Sequence, residues 1–220
     1  MKNILVTGAS GMLGATLVNE LKNDFEVFAS GSSNFKDQYN QYMKFDLKSD
    51  SFNELINWSN PEIIIHCAAI TNGNYCKENP KEAFDVNGFS IYKFLESTKS
   101  SVKFIYISTD AVFPSSLNLA NEKDCVDPEN IYGKSKELGE FFLTNSERDF
   151  LIIRTTIVGF NRNKDKKGFV EWIIDSSKSN KTISLFDDVT FNPISIWDFS
   201  EELKYLINEN KINSETLHLA

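Results

Sequence analysis

A glycine-spaced turn, Gly8-Ala9-Ser10-Gly11-Met12-Leu13-Gly14, restricts the fold of this chain more than any other feature. It follows an apolar run, Lys2 to Thr7, that reads as a buried strand, and it leads into Leu13, Leu17 and Leu21 at helical spacing. In such a strand-turn-helix unit one glycine makes the tight turn. A second lets the backbone approach a pyrophosphate, and a third lets helix pack on strand. The free N–H groups at the helix start then face the phosphates. The spacing is G-x-x-G-x-x-G rather than G-x-G-x-x-G, and the same physics applies. Gly8, Ser10, Gly11, Met12, Leu13 and Gly14 are therefore expected to hold a dinucleotide.

The rest of the chain continues the rhythm. Phe25 to Ala29, Tyr42 to Phe45, Glu62 to Cys67, Val102 to Ile107 and Leu151 to Ile153 read as strands, with a further short one from Thr182 to Phe186. Ser51 to Trp58, Pro80 to about Lys99, Ile131 to about Asn145, Gly168 to Ser177 and Ile196 to Ile207 read as helices. Pro114 to Pro128 and Asn161 to Lys167 read as loops. Strands alternating with helices predict a parallel sheet covered on both faces. The expected fold is α/β, a Rossmann-type doubly wound parallel sheet over 1–160, followed by a small and partial substrate lobe over 161–220.

Bulk properties narrow the partners. The 220 residues carry a net charge of −8, which argues against a nucleic-acid surface. No apolar run approaches the length of a membrane span, and the N-terminal run is too short for a signal peptide. Cys67, Cys76 and Cys125 are odd in number and lack metal spacing, so free thiols in a reducing cytoplasm are expected. His218 has no partner by spacing, so no metal site is expected, and His66 in its apolar strand reads as a core residue.

The second strand ends in Ala29-Ser30-Gly31-Ser32-Ser33, without the acid that NAD binders use on the ribose hydroxyls. Ser30 could serve a 2′-phosphate, and Lys36 is the nearest cation. NADPH is thus expected over NADH, which remains allowed. Asp46, followed by Leu47, could bind an adenine edge. Further on, Tyr132 and Lys136 stand four apart in a predicted helix and so share one face. An ammonium beside a phenol lowers the tyrosine pKa and lets it exchange a proton with an oxygen near neutral pH. Thr109, at a strand end, offers a third partner.

These pieces resemble the extended short-chain dehydrogenase/reductases, and among them the dTDP-4-dehydrorhamnose reductase group. The resemblance runs the length of the chain. It is carried by Thr7 to Gly14, Cys67-Ala68-Ala69-Ile70-Thr71, Ala83-Phe84-Asp85-Val86-Asn87, Ile107 to Phe113, Tyr132 to Glu140, and Ile153 to Gly159. It implies that Tyr132 donates a proton, that Lys136 lowers its pKa and holds the nicotinamide ribose, and that Thr109 binds the substrate carbonyl. It implies that Ala68, Ala69 and Thr71 pass along the cofactor. Asp110 and the segment after Arg154, with Ile157 where relatives carry an aromatic, would approach the sugar. The implied activity is reduction of a nucleotide-linked 4-keto sugar for cell-surface polysaccharide. A homodimer is compatible with it.

Two departures keep other readings open. Asn74 replaces an acid after the fourth strand, and Glu215 to Ala220 resembles a strand beyond which the family's chain usually continues. The alternatives are an NAD-dependent epimerase or dehydratase, and a non-catalytic nucleotide-binding subunit. Arg154, at a strand end, suits either a diphosphate or an internal salt bridge.

Overall fold

Alternate residues of each central strand go to opposite faces of one sheet, and both faces are covered. In the computed structural model, which describes residues 1–34, 39, 41–162, 167–179, 182–183, 187 and 189–220, β1 (Asn3–Thr7) lies between β2 (Glu26–Gly31) and β4 (Ile63–His66). The sheet extends through β3 (Tyr42–Lys44) on one side. On the other it runs through β5 (Lys103–Ser108), β6 (Phe150–Thr155) and β9 (Glu215–Leu219). The order β3-β2-β1-β4-β5-β6-β9 is parallel throughout, so the expected doubly wound sheet is present.

On one face Ile4, Val6, Ile63, Ile65, Leu151 and Ile153 pack under α1 (Met12–Leu21) and α8 (Ile196–Asn208). On the other, Leu5, Ile64, Phe104, Tyr106 and Ile152 pack under α2 (Phe52–Ser59), α5 (Ser90–Ser97) and α6 (Ile131–Thr144). Burying strands on both faces explains why they read as continuous apolar runs rather than alternating ones.

The structure departs from expectation in three places. The long helix expected over Pro80 to Lys99 is three segments, α4 (Pro80–Phe84), a π-helical turn (Asp85–Phe89) and α5. A widened turn of this kind marks a local demand on the backbone; here the Tyr106 hydroxyl donates to the Asn87 carbonyl at 2.7 Å. A short helix, α3 (Gly73–Glu78), forms where no periodicity announced one, capped by Asn72 accepting from Tyr75 N at 2.9 Å.

The stretch 161–220 also divides. β9 pairs with β6, and Phe199, Leu203 and Ile207 of α8 are fully buried in the same core as α1, so both elements belong to the main unit. The apolar face of α8 and the Leu217–Leu219 pair find their cover there. Between them lie α7 (Phe169–Lys178) and a small parallel pair, β7 (Ile157–Val158) with β8 (Ile194–Ser195). The strand expected from Thr182 to Phe186 and the cation Lys36 fall largely or wholly outside the described residues.

Candidate active site

The carboxyl ends of β1, β4, β5 and β6 form one edge, and the predicted residues collect along it. Gly8 turns there with φ of +68°, a left-handed conformation that suits glycine. A Cβ on it would come 2.7 Å from the Ala68 backbone, so β1 and β4 can approach only because the side chain is missing. Gly14, one helical turn on, lies against the Gly8 carbonyl. Gly11 caps α1 with no side-chain hydrogen bond and no acid in the first turn, which leaves the helix-start N–H groups available to an anion.

These features wall a cavity of about 300 Å³. Gly8, Ser10, Gly11, Ser30, Asp46, Leu47, Ala68 and Ala69 line it, as the sequence reading expected; so do Gly31, Ser32, Lys48, Ile70 and Glu82. Met12, Leu13, Gly14 and Thr71 are not among its lining residues. Gly14 is buried, Leu13 packs on the core, and Thr71 is exposed. Lys48 Nζ meets Glu82 at 2.8 Å and the Tyr75 hydroxyl donates to Glu82 at 2.9 Å, so α4 is tied to the turn after β3 at the rim. A glycine cradle facing an uncapped helix start fits a dinucleotide pyrophosphate.

Tyr132 sits at the start of α6, where Asn130 caps the helix by accepting from Gly133 N at 2.8 Å. Gly133 is required because a Cβ would strike the Ala111 carbonyl. The Thr109 side chain neighbours the Tyr132 hydroxyl and acts to lower its pKa. Thr109 donates to Asp110 Oδ1 at 3.0 Å.

The expected pKa relation differs from the observed one. Burial pushes Tyr132 up to about 12; Thr109 opposes this, and Asp110 and Cys76 add to it. Lys136, 1% exposed, does not sit on the phenol; its Nζ lies 4.0 Å from the centre of the Tyr106 ring. Burial pulls Lys136 down to about 7 against the attraction of Glu140 and Cys67. The spacing placed both residues on one face, but depth in the core, invisible to spacing, sets their pKa values.

Two supporting residues, Asn87 and Glu140, were given no role from sequence, whereas His66 was read as core. Asn87, in the π-helical turn, accepts from Ile70 N at 2.8 Å and donates to the Ile70 carbonyl at 3.0 Å and to Ser135 Oγ at 2.9 Å. It thus ties the loop after β4 to α6. His66 is fully buried between Thr7, 2.9 Å from Nδ1, and Ser90, 3.1 Å from Nε2. Burial, with Lys136 nearby, holds its pKa down to about 3, which fits the expected core role. Glu140, one turn beyond Lys136, accepts from Ser108 Oγ at 2.5 Å and from Arg154 Nε and Nη2 at 3.1 and 2.7 Å. Of the two roles open to Arg154, the internal salt bridge is present.

A second cavity, about 650 Å³, opens beyond Thr109 and is lined by Asp110, Phe113, Arg154, Thr155 and Thr156 together with Phe191, Asn192 and His218. Ile157 does not line it; this residue packs against the sheet core from β7. Among the described residues no group of three His, Cys, Asp or Glu is placed to hold a metal ion, and no helix is long and apolar enough to cross a membrane.

Fold and site define a Rossmann-type nucleotide-binding protein with Tyr132 and Lys136 on α6. The chain belongs to the family described as RmlD substrate binding domain, whose model matches residues 1–220. It is 32% identical over 206 residues to the spore coat polysaccharide biosynthesis protein SpsK of Bacillus subtilis, covering 91% of this chain and 68% of that one. It is 33% identical over 145 residues to methionine adenosyltransferase 2 subunit beta of Danio rerio, covering 63% and 42%. A dTDP-4-dehydrorhamnose reductase from Bacillus anthracis in complex with NADP superposes with a TM-score of 0.85 at 27% identity, covering 100% of this chain and 75% of that one. The family is one of sugar-nucleotide reductases, and its relatives point to a nicotinamide cofactor.

Proposed function

We propose that this chain is an NADPH-preferring reductase of a nucleotide-linked 4-keto sugar, acting in cell-surface polysaccharide synthesis. The observation that carries the reading is the Tyr132 phenol beside Thr109 at the carboxyl edge of the sheet, where a glycine-walled cavity and a larger cavity lined by Asp110 and Arg154 also open. Ser30 and the absence of an acid at the end of β2 support the 2′-phosphate preference.

When bound, the nicotinamide supplies the hydride. The protein supplies the proton and the orientation. Hydride arrival at the carbonyl carbon leaves negative charge on oxygen, and Tyr132 gives its proton to that oxygen to complete the alcohol. A phenol near 12 stays protonated throughout the working range, which suits a donor in a reduction. Releasing the proton is then the uphill step, which Thr109 eases by lowering the phenol pKa, while Lys136 lies over the Tyr106 ring. Thr109 orients the phenol and the carbonyl together.

Consumption of NADPH with a panel of 4-keto nucleotide sugars tests the reading. Turnover is expected, with Tyr132→Phe slower by about 10²–10⁴-fold and still binding NADPH. Equal rates for wild type and variant would overturn the catalytic role. Absence of turnover with retained NADPH binding would favour a nucleotide-binding subunit, a reading supported by the similarity to a protein named as a subunit.

A further inference from the structure

Three elements meet at the rim of the cavity of about 300 Å³. Lys48, in the turn after β3, places Nζ 2.8 Å from Glu82 Oε1 on α4. The Tyr75 hydroxyl, on α3, donates to Glu82 Oε2 at 2.9 Å. Both carboxylate oxygens are thus occupied, one by a cation and one by a phenol. Lys48 and then Tyr75 hold the Glu82 carboxyl below its ordinary range, so the acid is charged at neutral pH.

The strand order assigns this rim to one end of the cofactor. β3 is the neighbour of β2, and Phe45 N donates to the Gly31 carbonyl at 2.9 Å. Ser30, Gly31 and Ser32, at the end of β2, therefore line the same cavity as Lys48 beyond β3. In a doubly wound sheet the end of β2 meets the adenosine ribose, which carries the 2′-phosphate of NADPH. Thr109, at the end of β5, lies across β1 from this rim.

Among the described residues that line this cavity Lys48 is the one cation, and Asp46 and Glu82 are the acids. Asp46 is engaged with its own turn, accepting from Lys48 N at 3.0 Å. Lys93 Nζ, from α5, donates to the Leu47 carbonyl at 3.2 Å. The backbone leading into Lys48 is therefore fixed, and its side chain, 46% exposed, is the part free to turn. An ion pair this exposed adds little to stability and is screened by salt. A phosphate monoester carries about −1.5 to −2 near neutral pH and offers three acceptor oxygens, against a single charge on a carboxylate. It therefore competes with Glu82 for Lys48, while Tyr75 keeps Glu82 in place.

We propose that Lys48 is the cation that selects the 2′-phosphate of NADPH, and that Glu82, steadied by Tyr75, is its counter-ion until the phosphate takes its place. This rests on the reductase reading above. It deepens that reading by naming the residues that choose between the two nicotinamide cofactors. Glu82 also limits the preference, because Lys48 must leave it to reach the phosphate.

The test titrates wild type, Lys48→Met, Glu82→Gln and Lys36→Met with NADPH and NADH. The same proteins are titrated with 2′,5′-ADP and 5′-AMP, which differ by the same phosphate and lack the nicotinamide. Lys48→Met is expected to lower the NADPH:NADH affinity ratio about tenfold. Glu82→Gln is expected to raise it severalfold, and NADH affinity is expected to hold in both. The adenosine pair should show the same opposite shifts, and added salt should shrink them. An unchanged ratio in both Lys48→Met and Glu82→Gln would overturn the assignment. So would a ratio that falls in Lys36→Met and not in Lys48→Met. Equal changes for the two cofactors would overturn it as well, leaving Lys48 and Glu82 as a wall of the cavity only. The expected shifts in a protein that reduces no 4-keto nucleotide sugar would uphold the assignment and overturn the reductase reading. If wild type binds none of the four nucleotides, both fall.

Discussion

The two cavities at the carboxyl edge of the sheet are built in opposite ways. The cofactor side is made largely of backbone and small residues: Gly8, Ser10 and Gly11 from one turn, Ala68 and Ala69 from another. Gly8, Ser10 and Gly11 come from the single turn after β1, and the rest comes from the chain just after β2, β3 and β4 and from α4 and the π-helical turn. The other side is made of larger side chains, Phe113, Arg154, Phe191 and His218, brought together from segments far apart in the chain. A backbone site recognises what many nucleotides share, a phosphate. A side-chain site can be changed one residue at a time, so selectivity among sugars belongs there.

The largest stability effect is expected on the side-chain half. Arg154→Met removes one partner of a buried ion pair and leaves Glu140 with only Ser108 from that network. A loss of about 3–5 kcal/mol is expected in chemical denaturation. Glu140→Gln together with Arg154→Met should recover part of it, since neither charge is then stranded. If the single variant costs under 1 kcal/mol, the pair is behaving as a surface ion pair and the contrast between the halves weakens.

Gly14→Ala makes the corresponding cut on the backbone half. A Cβ there would press into the Gly8 carbonyl, so the turn must move. Stability should fall by about 1–3 kcal/mol, less than for Arg154→Met. NADPH affinity should nonetheless fall further than for any stability-matched variant in the second cavity. Fluorescence titration at a temperature where both variants are folded checks this. Retained NADPH affinity in Gly14→Ala would mean that the turn geometry is not what binds the cofactor.

The same contrast explains what could be read from the sequence. The glycine turn, the succession of parallel strands and helices and part of the first cavity's lining were legible because they depend on residues near one another and on missing side chains. Tyr132 and Lys136 were legible as a helical pair. Asn87, Ser108 and Glu140 carried no local signal, because their roles depend on which strands become neighbours. The π-helical turn was hidden for the same reason: the Tyr106 hydroxyl that occupies the Asn87 carbonyl comes from a different element. Ile157 looked substrate-facing by position, but β7 pairs with β8 and the side chain packs onto the core. The boundary at residue 160 failed at α8 and β9, whose apolar faces are satisfied only by α1 and β6.

The smallest predicted effect falls on Lys136, which is buried in α6 and lines neither cavity. Lys136 has an ordinary value of 10.5 and is pulled down to about 7 by burial. Between those values the unfolded chain holds a proton that the folded protein has released, so stability rises with pH across the window. Below about 7 the folded protein keeps the buried charge and its full cost. Above pH 9 the comparison is confounded, because Cys67, held up to about 12 by burial, acts in the opposite direction as the unfolded thiol ionises. From pH 7 to 8.5 wild type should therefore gain on the order of 1–2 kcal/mol relative to Lys136→Met, which places an apolar chain over the same Tyr106 ring. Denaturant midpoints of both proteins at the two pH values measure it. Parallel pH curves would show that Lys136 is solvated in solution and that burial over the Tyr106 ring does not set its pKa.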